Sequence, residues 1–396
     1  MRTLDQLLEK LGEGDRVLLR GDLNVPIRDG VVQDTTRIEA LLPTITALRA
    51  SGARLVLCSH LGRPAGPDPS HSLQPVAESL SGMIATDVPL LEAMPPDQRT
   101  MDSISSLAPG AVALLENLRF DPGEKKNDRQ LAAILASLCD HYVNDAFGSC
   151  HRAHASVDAI ARLRPAYAGL LVASELSALG SLRNSPGRPF WLVLGGAKIA
   201  DKIGVIDSLS GDVDGMVVGG GMANTILAAR GFPVGNSRID PASIEDGTAQ
   251  RLGSDSPLVL PVDFVCGPSL HDPDSAAVIE VGDRIPDGWA FYDIGPRSVE
   301  LFEKTLTPAQ TIFWNGPPGV FEEKAYQEGT RALAGFLAGH SGRVFVGGGD
   351  SAAAVRTFAD SDSFHHVSTG GGAALAFLEG RSLPGIEALE RSSMPS

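Results

Sequence analysis

The segments WLVLGGAK (Trp191–Lys198), MVVGGGMA (Met216–Ala223), VFVGGGDSAAAV (Val344–Val355) and VSTGGGAALAFL (Val367–Leu378) share one plan, a short apolar run that ends in a glycine cluster. Such a run reads as a strand buried on both faces. Glycine carries no Cβ and tolerates backbone angles closed to other residues. A strand that stops in glycines can therefore bring amide N–H groups and a helix start against a bound phosphate. The second half of the chain reads as an α/β region built to hold a polyphosphate. The clusters have no fixed period, so no solenoid is implied, and the absence of G-x-x-x-x-G-K-[ST] excludes an ordinary P-loop.

Working outward, the first half repeats the strand pattern with different endings. RVLLRGDLN (Arg16–Asn24), RLVLCSH (Arg54–His60), VALLENLRF (Val112–Phe120) and HYVNDAFG (His141–Gly148) are apolar stretches that finish in polar residues. Between the first two, Ile38, Leu41, Leu42, Ile45 and Leu48 recur at helical spacing, and Pro43 inside that pattern predicts a kink or an early break. Strands separated by helices predict parallel sheets with right-handed crossovers and ligands gathered at the carboxyl ends of the strands. The expected fold is α/β, with two Rossmann-like domains, each a mainly parallel sheet flanked by helices, joined by a hinge helix. The first domain is expected over residues 1–167. AGLLVASELSALGSL and the turn-rich RNSPGRP supply a helix and linker over 168–185, and the second domain begins at 186. LVLPVDFV (Leu258–Val265) is expected to be one strand.

Composition narrows the partners. The chain has 396 residues, 43% of them hydrophobic, enough to fill two or three cores. Its formal charge of −15 argues against nucleic acid and against an anionic membrane as general partners, because a negative surface repels both. An anion site must then be a local positive pocket, which singles out Lys198 and Lys202 beside the first glycine cluster. Cys58, Cys139, Cys150 and Cys266 are scattered without a C-x-x-C pair, the pattern of reduced thiols in the cytosol. No apolar run approaches the roughly 18 residues of a membrane span and nothing marks export, so a cytoplasmic location is expected. His151 and His154 beside Cys150 lack the further partners of a metal set, and DAFG (Asp145–Gly148) without a catalytic loop reads as a strand end.

The polar strand ends carry the other half of the chemistry. Asp22 and Asn24 follow VLLR, His60 and Arg63 sit in SHLGRP, Arg119 in ENLRF, Arg152 in SCHRAHAS, and Arg37 lies near the start of the first crossover helix. Any one arginine alone reads as a surface charge. Five segments delivering such groups to one sheet edge instead suit a small, multiply charged acid, because guanidinium binds carboxylate and phosphate through paired hydrogen bonds.

The segments RGDLNVP, TTRI, SHLGRP, ENLRF, NDAFGSCHRAHAS, GGAKIADKI, GGGMANT, LPVDF, DIGP, WNGPPGVFE, GGGDSAAAV and STGGGAAL together resemble phosphoglycerate kinase, from near the first residues to about Leu389. The resemblance implies reversible phosphoryl transfer between 1,3-bisphosphoglycerate and ADP, giving 3-phosphoglycerate and ATP, with Mg2+, by a monomer whose domains close over both substrates. It implies that Asp22, Leu23, Asn24, Arg37, His60, Leu61, Gly62, Arg63, Arg119 and Arg152 hold the phosphoglycerate. Gly195, Lys198, Lys202, Gly295, Asn315, Glu322, Gly348, Gly349, Asp350 and Ser351 would hold the nucleotide, with Asp350 on magnesium and Glu322 at the ribose. Arg37 and Lys198 would flank the migrating phosphoryl group. The nucleotide domain would end near 372, and residues 373–396, with SLPGIEAL, would return to the first domain. Gly21 and Leu23 stand where the family more often has valine and phenylalanine, which predicts looser packing behind Asp22 and Asn24. Pro318 lacks the N–H of the residue usual there, and Ala374 and Ala376 replace a frequent serine and glutamate.

The chemistry needs no general base, since a carboxylate acceptor is ionised at neutral pH. A nicotinamide-dependent dehydrogenase would require G-x-G-x-x-G opening a βαβ unit, with an acidic residue about 20 positions on; the sequence has no such unit. A scaffold of the same fold that had lost catalysis would show decay at Arg37, Lys198 or Asp350, and all three stand.

Overall fold

A computed structural model describes residues 1–254 and 256–393. The chain divides into two compact units, Met1–Ser177 with the segment from Ser382 on, and Ala178–Arg381, so the division falls inside the helix Leu170–Asn184.

The first unit contains β1 (Arg16–Gly21), a short hairpin of β2 (Ile27–Arg28) and β3 (Val31–Val32), then β4 (Arg54–Cys58), β5 (Leu90–Leu91), β6 (Val112–Leu115), β7 (His141–Asp145) and β8 (Ala166–Ala168). Six of these form one parallel sheet in the order β5-β6-β4-β1-β7-β8. Val17, Leu19, Leu55, Leu57 and Val112 of the sheet pack with Ile38, Leu41, Ile45 and Leu48 of the helix Thr36–Ala50 into one core. β4 and β6 stop where their apolar runs stop, whereas β1 runs on through Arg20 to Gly21 and β7 through Asn144 to Asp145. The polar residues after Gly21, Cys58 and Leu115 are thus left in loops at the carboxyl edge.

Pro43 does not break its helix, which runs unbroken from Thr36 to Ala50. Proline removes one backbone donor, but it sits on the exposed face while its neighbours anchor the buried one. Gly21 does not loosen the packing either. A Cβ there would lie 2.4 Å from Leu41 Cδ2, so Leu41 fills the space that a larger residue would take. Residues 382–393 pack back on this unit. The Gly385 N–H donates to the Cys150 carbonyl at 2.9 Å, and Arg391 meets Asp158 at 3.0 Å.

The second unit contains β9 (Phe190–Leu194), β10 (Gly215–Val218), β11 (Leu258–Val259), β12 (Asp263–Gly267), β13 (Ala277–Glu280), β14 (Ala290–Ile294), β15 (Thr311–Asn315), β16 (Arg343–Val346) and β17 (His366–Val367). A second parallel sheet has the order β11-β10-β9-β15-β16-β17. The segment LVLPVDFV is therefore two strands and not one. Leu258 and Val259 form the edge of the parallel sheet, whereas Asp263 onward enters a separate antiparallel sheet, β13-β12-β14. Pro261 between them cannot donate to a ladder and ends the first pairing.

Candidate active site

The carboxyl edge of the first sheet is assembled by side chains. Ser59, following β4, accepts the Leu23 N–H at 2.9 Å and donates to the Gly21 carbonyl at 2.8 Å. Asn24 Oδ1 accepts the Gly62 N–H at 2.8 Å, and Asn117 clamps Leu61 through both its N–H and its carbonyl. Arg119 donates to the Gly62 carbonyl, and Arg37 donates to Asp22 Oδ1 at 3.2 Å and to the Asn24 carbonyl at 3.0 Å. The loops after β1, β4 and β6 are thereby locked together. Leu23 and Leu61 are buried in the core behind this edge and present no side chain to it. Arg63 is exposed at the edge, and Arg152 is half-buried beside His151.

Positive charge outweighs carboxylate here: Arg37 pairs with Asp22 at 3.2 Å, whereas Arg63, Arg119 and Arg152 have no ion pair among the described residues. Burial first, then Arg152 and Arg20, lowers the Arg119 guanidinium below its ordinary range. Burial, then Arg20, Arg119 and Arg152, holds the His60 imidazole well below the usual histidine range, and His154 is pushed down to about 4 by the same causes. A cluster whose members disfavour each other's protons is a site that an anion relieves.

The carboxyl edge of the second sheet is assembled by backbone. The four glycine runs follow β10, β9, β16 and β17, and the NGPP turn follows β15, so five neighbouring strands end in tight loops. These loops cross at van der Waals limits. A Cβ on Gly195 would sit 2.1 Å from the Pro317 carbonyl oxygen, and one on Gly219 would sit 2.5 Å from Pro318 Cβ. The Gly195 N–H donates to the Asn315 carbonyl at 3.1 Å, Gly196 to Pro317 at 3.1 Å and Gly220 to Pro318 at 2.9 Å. Pro318, which has no N–H to give, thus contributes its ring and its carbonyl. Asn315 and Ser351 are buried clamps, Asn315 Nδ2 donating to the Gly347 carbonyl at 2.6 Å and Ser351 Oγ accepting the Gly316 N–H at 2.5 Å.

Two consequences follow for the expected nucleotide residues. The amides of Gly195, Gly196, Gly219 and Gly220 are committed to protein or loop crossings, so those glycines serve close approach. The helix Gly349–Phe358 instead starts at Gly348 with no capping side chain, leaving its first-turn amides for an anion. A cavity of about 480 Å³ opens beside these loops. Glu322 and Asp350 line it, as do Gly196, Gly221 and the loop Pro317–Val320. Lys198 is exposed close by in sequence; Lys202 is partly buried, its ammonium lowered by burial against the pull of Asp201 and Asp350. Gly295 stands apart, because Asp263 fills the start of its helix by accepting the Arg297 and Ser298 N–H groups. Asn224, Arg238, Phe264, Phe291 and Tyr292 also line the cavity, with Phe264 and Phe291 stacked at 4.2 Å. The sequence alone does not place these at a cavity, since it is the small antiparallel sheet that brings them in.

A family model described as phosphoglycerate kinase matches residues 8–381. The chain belongs to the phosphoglycerate kinase family. It is 46% identical over 390 residues to the phosphoglycerate kinase of Roseiflexus sp. (strain RS-1), covering 95% of this chain and 96% of that protein. It is 45% identical over 394 residues to that of Deinococcus radiodurans, covering 98% and 94%. Among solved structures, phosphoglycerate kinase from Pyrococcus horikoshii OT3 superposes with a TM-score of 0.86 at 30% identity, over 99% of each chain. That from Coxiella burnetii gives 0.83 at 38% identity, over 96% of this chain and 97% of that one. One member of this family thus carries both an arginine-rich strand edge and a glycine-built strand edge. Among the described residues no helix is long and apolar enough to cross a membrane.

Proposed function

We propose that the protein transfers a phosphoryl group reversibly between 1,3-bisphosphoglycerate and ADP, giving 3-phosphoglycerate and ATP. The observation that carries this reading is the pairing, in one member of this family, of an arginine-rich strand edge poor in countercharge with a glycine-built strand edge beside a cavity that reaches Asp350. In this reading the first edge holds the phosphoglycerate through Arg37, His60, Arg63, Arg119 and Arg152. Asp22 and Asn24 orient Arg37 and the SHLGRP loop. The cavity takes the nucleoside against Phe264 and Phe291, with Glu322 at the ribose and the phosphates toward the helix start at Gly349.

The residues present fit a magnesium ion carried with the phosphates. Asp350 offers a hard oxygen donor at the cavity, and among the described residues no group of three or more His, Cys, Asp or Glu forms a self-sufficient metal site. Asp350 would hold the ion jointly with nucleotide phosphate oxygens, and the ion would neutralise phosphate charge.

Phosphoryl transfer asks the chain for positioning and charge neutralisation. Lys198 and Arg37 supply charge to the migrating group, and an aqueous gap would waste that attraction, so turnover requires both sites to come within reach of one phosphoryl group and to shed water. The test is 3-phosphoglycerate-dependent ATP consumption in a coupled assay with magnesium. Turnover at ordinary kinase rates is expected; folded protein that binds ADP without turning over would end the reading.

A further inference from the structure

We infer that Arg20 is a positioning residue that fixes the tautomer of His60, so that this ring meets the acidic substrate with an N–H donor at Nε2. The inference rests on the reading of the first unit's strand edge as the phosphoglycerate site.

Arg20 lies near the end of β1, in the middle of the sheet, and is 0% exposed. A guanidinium so placed touches no substrate and demands partners inside the protein. Its Nε donates to Ser156 Oγ at 3.0 Å, Nη1 to the Gly21 carbonyl and to Ser59 Oγ at 3.4 Å, and Nη2 reaches Ser149 Oγ at 3.4 Å and His60 Nδ1 at 2.9 Å. Its countercharge stands one hydroxyl away, because Ser156 Oγ passes the link on by donating to Glu124 Oε1 at 2.6 Å.

The consequence for His60 is a matter of donor counting. A guanidinium has donors and no acceptor, so Nδ1 at 2.9 Å must be the acceptor. The one proton of the neutral imidazole then sits on Nε2, and a second proton on Nδ1 would oppose N–H to N–H. Among the described residues Nε2 has no hydrogen-bond partner, and His60 is 7% exposed at the edge where the arginines converge. The charged groups acting on the ring are Arg20, Arg119, Arg152 and His154, all of which disfavour the imidazolium. The carboxylate of Glu124 is engaged by Ser156 behind Arg20 and lies 3.7 Å from His154 Nδ1. His60 thus contributes a directional donor that stays neutral while the arginines contribute the charge. A histidine free to titrate would instead make acid binding rise and fall with pH near neutrality.

The test is the 15N spectrum of the ligand-free, full-length protein labelled at histidine, with a His60→Gln sample to assign the signal. The expected result is an unprotonated Nδ1 and a protonated Nε2 for His60 from about pH 5 to about pH 9. Arg20→Met should give mixed tautomers and bring the titration back toward the ordinary histidine range. It should also weaken 3-phosphoglycerate binding about tenfold, the loss of one well-aimed hydrogen bond to a charged acceptor. Arg20→Lys, which keeps a cationic donor, should retain the Nε2–H form and most of the affinity. A wild-type His60 carrying its proton on Nδ1, or charged at neutral pH, overturns the inference, and that measurement stands even if Arg20→Met does not fold. Arg63→Ala separates the two layers. If it weakens 3-phosphoglycerate while Arg20→Met shifts the tautomer without weakening it, the positioning role falls alone. If neither variant weakens it, the site assignment falls as well.

Discussion

The two strand edges of this acidic chain are built from different parts of the residue. In the first unit the work falls to side chains, with Arg37, Arg63, Arg119 and Arg152 around a buried frame of Ser59, Asn117 and Arg20. In the second it falls to the main chain, with loops crossing so closely at Gly195, Gly219 and Gly316 that no Cβ fits. The two constructions fail in different ways. A side-chain site loses one contact at a time, whereas a backbone site loses its shape at once.

The sharpest break in that comparison is Lys198, an exposed cation on the backbone-built edge. If its charge serves the migrating phosphoryl group, Lys198→Ala lowers kcat by about 10²–10³-fold, as the loss of one transition-state donor does. The ADP Kd, read by calorimetry, should change by less than about threefold. Equal losses in kcat and affinity would make Lys198 an ordinary nucleotide contact.

Next in size is Gly195→Ala. The added methyl would lie 2.1 Å from the Pro317 carbonyl oxygen, which is backbone and cannot swing aside. A cost of about 3 kcal/mol is expected from such overpacking, seen as a lowered Tm, with weakened ADP binding and intact 3-phosphoglycerate binding. An unchanged Tm would show that these loops part freely and that the backbone site is looser than its geometry. Arg63→Ala is the matching change on the side-chain edge. Because Arg63 is exposed, removing it should weaken 3-phosphoglycerate about tenfold, leaving Tm and ADP binding alone. A loss of stability there would mean that the side-chain site is also a structural one.

Legibility in the sequence follows the same division. The glycine runs announce themselves because each joins a buried strand to a loop within a dozen residues, and the sheet then sets them side by side. The arginines announce themselves by ending apolar runs. Other features depend on partners far along the chain. Leu258–Val259 and Asp263–Gly267 look like one strand until Pro261 assigns them to different sheets. Phe264, Phe291 and Tyr292 reach the cavity only because β12 and β14 pair. Pro43 looks like a breaker because local propensity ignores the core that holds its helix. Arg20 is in the sequence only a charge closing the apolar run VLLR, and its role needs Ser156, over a hundred residues on.

The smallest effect concerns pH and sets the units against each other. Asp293, next to last in β14, is 1% exposed and accepts the Gly329 N–H at 2.6 Å and the Ile294 N–H at 2.9 Å. Burial pushes its carboxyl up to about 8, against those two donors. The folded state therefore binds this proton more tightly than the unfolded chain does. The stability so contributed is complete below the ordinary carboxylate range and is lost as pH rises through about 8. In the first unit His154 runs the other way. Its pKa of about 4 in the fold means that stability is complete above the ordinary histidine range and is lost as pH falls toward about 4, with Asp145, raised to about 6, opposing it in part. Asp293→Asn keeps an acceptor for Gly329 and removes the titration. Calorimetric scans should then show the alkaline decline in Tm flattened by a few degrees, with the acid arm unchanged. An alkaline arm that survives the substitution would mean that Asp293 is ionised in the folded state and that burial at this strand end is weaker than the packing of Gly319 and Gly329 around it indicates.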